Sequence, residues 1–390
     1  MKLFKRRQSG SILPTVALSM LAIMGMAALV FDASNVFSNK TRLQNIIDLT
    51  TLSAATVLDE THNQSSARNA ARKIFDQNIG STGNGSLSDM GLSSGDLTIQ
   101  FSDTRNPFIS SPAATRYVRI KLGQGAASLK TFLMKIFGIE TINLSVSAVA
   151  GPSPALGEAC NIVPSVVCGD PNIPPDSNGM YGYKYGEKVS LALGSPDNNE
   201  IGPGNFQLLD LSASGGDKKI RDNLAGGIEG CVSGTDTVDT KPGVNRGPVS
   251  QGFNTRFGIY NGPVSADDFP PDKVTDAGHH GYPDSYSEYK LDYNTKTFDE
   301  DDGVSERRVL AVTFGNCTGT VNGSGSVPLL GFGCVFLNEP ASVGGALKDV
   351  QIYGELIREC KAGGIPGPSP IDGPGLHTIQ LYGDPDRWDS

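Results

Sequence analysis

The start of the chain constrains it most. Lys2, Lys5, Arg6 and Arg7 precede an uncharged run from Gln8 to Phe31, which Asp32 closes. A run of roughly 23 residues crosses the ~30 Å hydrocarbon core as one helix. Secretory signal cores are shorter, roughly 7–15 residues, and a small-residue cleavage box follows them. Here the exit reads Val30-Phe31-Asp32-Ala33-Ser34-Asn35, with no such box. The expectation is a retained single-pass helix. Residues 1–10 then form a basic cytoplasmic leader, and everything after Asp32 is exported.

The helical pattern continues past the apolar run. No Pro or Gly occurs between Asp32 and Leu58, and Leu43, Ile46, Ile47, Thr50, Ala54 and Leu58 recur at helical steps. Residues 11–60 are therefore expected to form one rod of roughly 70 Å. Pro14 is tolerated near the start of a helix. Ala22, Gly25 and Ala28 put small residues on one side, either to admit another helix or as ordinary residues of a lone anchor. Residues 61–150 read as a small α/β platform. A second helix is expected over Asn63–Asn78, a loop over Gly80–Gly95, and strands over Leu97–Phe101 and Tyr117–Leu122. A helix over Ser128–Phe137 and a strand over Ile142–Ala150 complete an α-β-β-α-β order.

Gly151-Pro152-Ser153-Pro154 is a linker, after which Gly and Pro become frequent and helical periodicity fades. Residues 151–390 are expected to be β-rich with a Pro/Gly-rich tail. Strands are expected near Val189–Leu193, Phe206–Leu211, Val309–Thr313, Leu329–Leu337, Val350–Ile357 and Thr378–Tyr382. All six cysteines lie here: Cys160, Cys168, Cys231, Cys317, Cys334 and Cys360. An even number in an exported segment points to disulfides, and a Cys160–Cys168 loop across Pro164 is the expected pair. The whole is an α+β protein: helix rod, platform, disulfide-bonded distal domain. A net charge of -9 argues against nucleic acid as a partner.

The residues Arg7-Gln8-Ser9-Gly10-Ser11, the apolar run, Phe31-Asp32, and Arg42-Leu43-Gln44 leading to Ile47-Asp48 and Ala54-Ala55 resemble the start of TadG-like proteins. These belong to the TadE/TadG group of tight-adherence (Tad, or Flp) pilus assembly. Ser145-Val146-Ser147-Ala148-Val149-Ala150 fits the same group. In the distal region, Gly202 to Asp210, Thr240 to Phe257 and Arg307 to Cys317 resemble Tad-associated proteins. The resemblance implies a bacterial inner-membrane accessory of pilus assembly or adherence. It implies no enzyme, no cofactor and no small-molecule substrate. Other pilus-assembly or minor pilin subunits, met through the N-terminal helix, are the implied partners. Prepilins are cut after a Gly preceding such a helix, with Glu fifth after the cut. Gly10 and Ser11 fit that junction, but the fifth residue is Thr15. A minor pilin cleaved after Gly10 is therefore the runner-up to a retained anchor.

Five motifs have residue types that bear on chemistry. Asp210, Ser212 and Ser214 have the D-x-S-x-S spacing of von Willebrand A-type metal sites, as carried by many TadG proteins. A metal-dependent adhesin is thus an alternative, but Gly215-Gly216 follows and favours a plain turn. Gly91-Leu92-Ser93-Ser94-Gly95 lacks the strand-turn-helix context of a nucleophile elbow. His279-His280 with Asp268, Asp272 and Asp284 offer metal donors, but adjacent side chains diverge and a solvated loop is the expectation. Asp299-Glu300-Asp301-Asp302-Gly303 offers carboxylates for Ca²⁺, but it lacks an EF-hand's spaced ligands and distant Glu and reads as a charged turn. Tyr181, Tyr183 and Tyr185 share a strand face and are expected to pack on the core.

Overall fold

The computed structural model describes residues 12–123, 125–192, 205–211, 216–242, 246–275, 285–296, 303–319, 325–341, 352–368 and 373–386. They divide into two compact units, residues 1–151 with 381–390, and residues 152–380.

The first unit is organised by α1 (Ile12–Thr61), an unbroken helix of 50 residues and about 75 Å. Ala28, Asp32, Asn39, Leu43, Ile47, Thr50, Ala54 and Leu58 are buried on it. Their steps of three, four or seven residues draw a single stripe along the rod. Thr50 and Thr51 tolerate burial because their hydroxyls donate to Ile46 O and Ile47 O, both at 2.7 Å. The helix ends at His62, which takes a left-handed φ of 51°. The Asn63 side chain then caps α2 (Gln64–Ile79), accepting from Ser65 N at 2.8 Å and Ser66 N at 3.2 Å. Ala67, Ala71, Phe75 and Ile79 form the buried stripe of α2, which packs back on α1.

Residues 80–95 carry short helical turns, among them α3 (Gly85–Ser88), where a loop was expected. Ser93 and Asp96 form a capping box at the Ser94–Asp96 turn, the role found for the G-x-S-x-G serine. Next come β1 (Leu97–Ser102) and β2 (Tyr117–Leu122), antiparallel with Ile99 opposite Ile120. The helix expected over Ser128–Phe137 does not form. Instead β3 (Ala127–Lys130) and β4 (Thr141–Leu144) make a hairpin, and Met134–Phe137 is a 3-10 turn at its tip. Ala127 and Leu129 alternate into the core, whereas the tip's apolar side chains face outward, so no helical face is buried. The strand expected over Ile142–Ala150 is split between β4 and β5 (Ser147–Pro152), and β5 pairs with β2.

The second unit runs β6 (Leu156–Cys160), β7 (Val166–Cys168), β8 (Gly179–Met180), β9 (Tyr183–Lys184), β10 (Lys188–Ala192) and β11 (Asn205–Leu209). After α4 (Gly216–Gly226), β12 (Cys231–Ser233), β13 (Thr237–Pro242), α5 (Arg246–Asn254) and α6 (Tyr286–Thr295) come β14 (Val309–Gly315), β15 (Ser326–Leu337) and β16 (Ile352–Ile357). The unit closes with β17 (Glu359–Lys361), β18 (Gly363–Pro366) and β19 (Gly375–His377). Its main sheet has the order β10-β16-β15-β13-β11, with β14 pairing both β15 and β7. All five strand regions expected here form. Helices α4 to α6 were not anticipated. Gly247, Pro248 and Gly252 mask α5, yet Gly252 has a packing reason: a Cβ there would sit 2.6 Å from Arg221 O and 2.7 Å from Leu224 Cβ. Ile220 and Leu224 of α4 and Val249 and Phe253 of α5 share one apolar cluster.

Three disulfides staple this unit: Cys160–Cys231, Cys168–Cys317 and Cys334–Cys360. The expected Cys160–Cys168 loop is overturned. β6 pairs with β12, which sets Cys160 directly opposite Cys231. β7 instead runs parallel to β14, bringing Cys168 opposite Gly315 and near Cys317. The short connection around Pro164 thus feeds two different sheets.

The last strand, β20 (Ile379–Tyr382), is fourth in the sheet β1-β2-β5-β20. Residues 381–390 therefore group with the first unit rather than with 151–380, where composition alone had put them. Arg119 of β2 is buried, donates to Gln100 Oε1 through Nε at 3.1 Å and Nη2 at 2.8 Å, and pairs with Asp384 at 3.4 Å and with Asp386. Lys121 lies 3.5 Å from Asp384.

Candidate functional site

The most distinctive surface of the first unit is the apolar half of α1 together with the β3–β4 tip. Residues such as Leu18, Leu21, Ile23 and Met24 point outward along the helix. The tip, Phe132-Leu133-Met134-Lys135-Ile136-Phe137-Gly138-Ile139, lies along the same stretch. Phe132 meets Phe31 edge-on at 5.9 Å. Phe137 Cζ lies 3.7 Å from where a Gly25 Cβ would be. An apolar groove of about 440 Å³ is lined by Leu21, Met24, Ala28, Leu133 and Ile136. Of the small residues singled out on α1, Gly25 and Ala28 face this loop of the same chain, while Ala22 is exposed.

Asp32 ties the loop to the helix. Its carboxylate accepts the amides of Phe132 at 2.9 Å, Leu133 at 2.9 Å and Met134 at 2.6 Å. Three amides converging on one carboxylate satisfy donors that the tight turn leaves over. Sequence reasoning took Asp32 only as the end of the apolar run. Its partners lie a hundred residues away, and nothing local announces them.

Elsewhere the chemistry is structural. Asp272, placed in a solvated loop by its neighbours, is buried. It accepts from Val274 N at 2.9 Å, Arg308 N at 2.8 Å and Tyr289 Oη at 3.1 Å. Burial pushes its carboxyl above the ordinary range, against the pull of those amides and the Arg308 charge. Fully buried Arg308 donates to Leu337 O, Val274 O and Asn338 O and stacks over Phe336 at 4.6 Å. Burial and the Asp272 and Glu306 charges raise the Tyr289 hydroxyl. These donors already engage both carboxylate oxygens of Asp272. Asp268 is bonded to Ser265 Oγ at 2.8 Å. His279, His280, Asp284 and Asp299 to Asp302 lie outside the described residues.

Asp210 follows β11, with Lys241 Nζ 3.9 Å away; Ser212 and Ser214 lie outside the described residues, as do Gly10 and Ser11. The sheet around Asp210 is antiparallel except where β7 meets β14, unlike the parallel sheet under a von Willebrand A-type site. Among the described residues, Glu158, Cys160 and Cys231 come together as three possible metal donors, but the two sulfurs are bonded to each other. Tyr181, Tyr183 and Tyr185 all pack against the core of the second unit. Their backbone turns through β8 and β9 instead of running as one strand.

A long apolar helix that continues into an α/β platform defines a class, a protein built on one helix suited by length and composition to a single membrane crossing. Residues 10–57 match the family described as Flp pilus-assembly TadE/G-like, and residues 53–150 match the one described as Tad-like Flp pilus-assembly. Residues 10–150 are thus similar to TadG-like proteins of the Tad group. No curated protein and no solved structure matches it.

Proposed function

We propose that the protein is a membrane-anchored accessory of Tad/Flp-type pilus assembly that acts by protein–protein contact. The carrying observation is that the two adjoining Tad matches cover α1 and the platform it organises. In this reading residues 1–10 stay in the cytoplasm, α1 spans the inner membrane once, and residues after Asp32 lie in the periplasm or travel to the cell surface. The helix faces left open by the β3–β4 tip meet other assembly or minor pilin subunits. Deleting the gene in its host should abolish piliation and surface adherence, and the intact chain should restore both. Unchanged piliation would overturn the reading. The mature mass separates its two forms, since a start at Ser11 means a cleaved minor pilin and a start at Met1 a retained anchor.

A further inference from the structure

We propose that the β3–β4 tip, Phe132 to Ile139, is a second membrane-embedded element: an apolar wedge in the lipid of the outer leaflet beside α1. This rests on the anchor reading of α1 given above. The tip exposes Phe132 at 57%, Ile136 at 75%, Phe137 at 62% and Ile139 at 42%. An aqueous loop with that many large apolar side chains in the open is unusual, because contiguous exposed apolar surface marks a contact.

The position of the tip selects lipid as that contact. It runs along α1 from Asp32 back toward Leu21, where α1 is itself exposed and uncharged. Gly25, beside Phe137, is seven residues before Asp32, about 10 Å along the axis. That depth falls within one leaflet of a ~30 Å core. A loop held there shares whatever medium surrounds the helix.

Its backbone is also prepared for a dry medium. In lipid an unbonded amide costs several kcal/mol. The amides of Phe132, Leu133 and Met134 go to Asp32; those of Ile136, Gly138 and Ile139 go to Leu133 O, Lys135 O and Met134 O. At the base, Thr131 bonds Glu140 O through its amide at 3.0 Å and Ile139 O through its hydroxyl. Lys135 is the single charged residue from Thr131 to Ile139, and a lysine stem is long enough to carry its ammonium to a headgroup.

The test uses the full-length protein in vesicles made with lipids brominated at defined acyl positions. Trp388, the sole tryptophan, is replaced by Phe, and one reporter is added at a time: Phe137→Trp, Ile136→Trp, or Met24→Trp on α1. The expected result is blue-shifted emission, loss of emission with acyl-brominated lipid, and no quenching by aqueous acrylamide at all three positions. If Met24→Trp is lipid-quenched while both tip reporters are quenched by acrylamide, the wedge is overturned and the anchor stands. Tip reporters shielded from both quenchers overturn it too, in favour of a protein cover such as another subunit's helix. If Met24→Trp itself escapes lipid quenching, the anchor reading fails, and the wedge with it.

Discussion

The two units solve the same packing problem with different means. The first contains no cysteine and is held by one long helical stripe, a second helix laid against it, and charged clasps at Asp32 and Arg119. The second has no dominant element. It is a mostly antiparallel assembly with two apolar clusters, three disulfides and a buried Asp272–Tyr289–Arg308 network. A regular period can organise a unit by itself, whereas a turn-rich chain needs covalent and polar fasteners between distant segments.

Breaking a fastener should harm only its own unit. The largest effect is expected for the paired change Cys168→Ser and Cys317→Ser, since the bond spans 149 residues and restrains the unfolded chain by about 5 kcal/mol. Hydrogen exchange on the full-length protein should show faster exchange across 152–380 and unchanged protection in α1 and α2. Equal loss in both units would break the comparison. Next is Arg308→Leu, which removes the guanidinium charge near buried Asp272 and strips three carbonyls of their donors, while the residue 308 amide still bonds Asp272. It should cost about 3–5 kcal/mol, read as a lower urea midpoint for the second unit.

Smaller is Asn63→Ala, which removes the α2 cap at about 1 kcal/mol. Exchange should rise at Ser65 and Ser66 without touching the second unit. The finest contrast is in pH. Despite desolvation, the Asp386 amide and the nearby Lys121 and Arg119 charges hold the Asp384 carboxyl below its ordinary range. That contribution is complete above the ordinary carboxylate pKa of about 3.9 and fades as pH falls through the lowered value. Asp272 has the opposite sign, because its raised pKa makes its contribution shrink as pH rises through that window. Acid titration of Asp384→Asn and Asp272→Asn, followed by exchange in each unit, should flatten slopes of opposite direction.

How much could be read in advance differs between the units for the same reason. In α1 and α2 the buried stripe is written at helical steps, so both helices and the family resemblance were legible. The β3–β4 tip was misread as a helix because its apolar residues serve an outward surface. Periodicity cannot tell an exposed apolar side from a buried one. In the second unit strands were legible by composition, but α5 was hidden by Gly247, Pro248 and Gly252. The disulfide partners depended on strand pairings between Cys160 and Cys231, 71 residues apart. The candidate site divides likewise: α1 is local and visible, while the Asp32 clasp is made across a hundred residues.

The return of β20 to the first sheet makes residues 152–380 an insertion within another unit. Joining the ends of so long a flexible loop would carry a length-dependent entropic cost of about 5 kcal/mol. Within the insertion, Ser153 N donates to Thr378 O at 2.8 Å and Thr378 N to Ser153 Oγ at 3.1 Å, so its entry and exit are already joined. Folding of the insert thus lends the tail a high effective concentration near its strand partner.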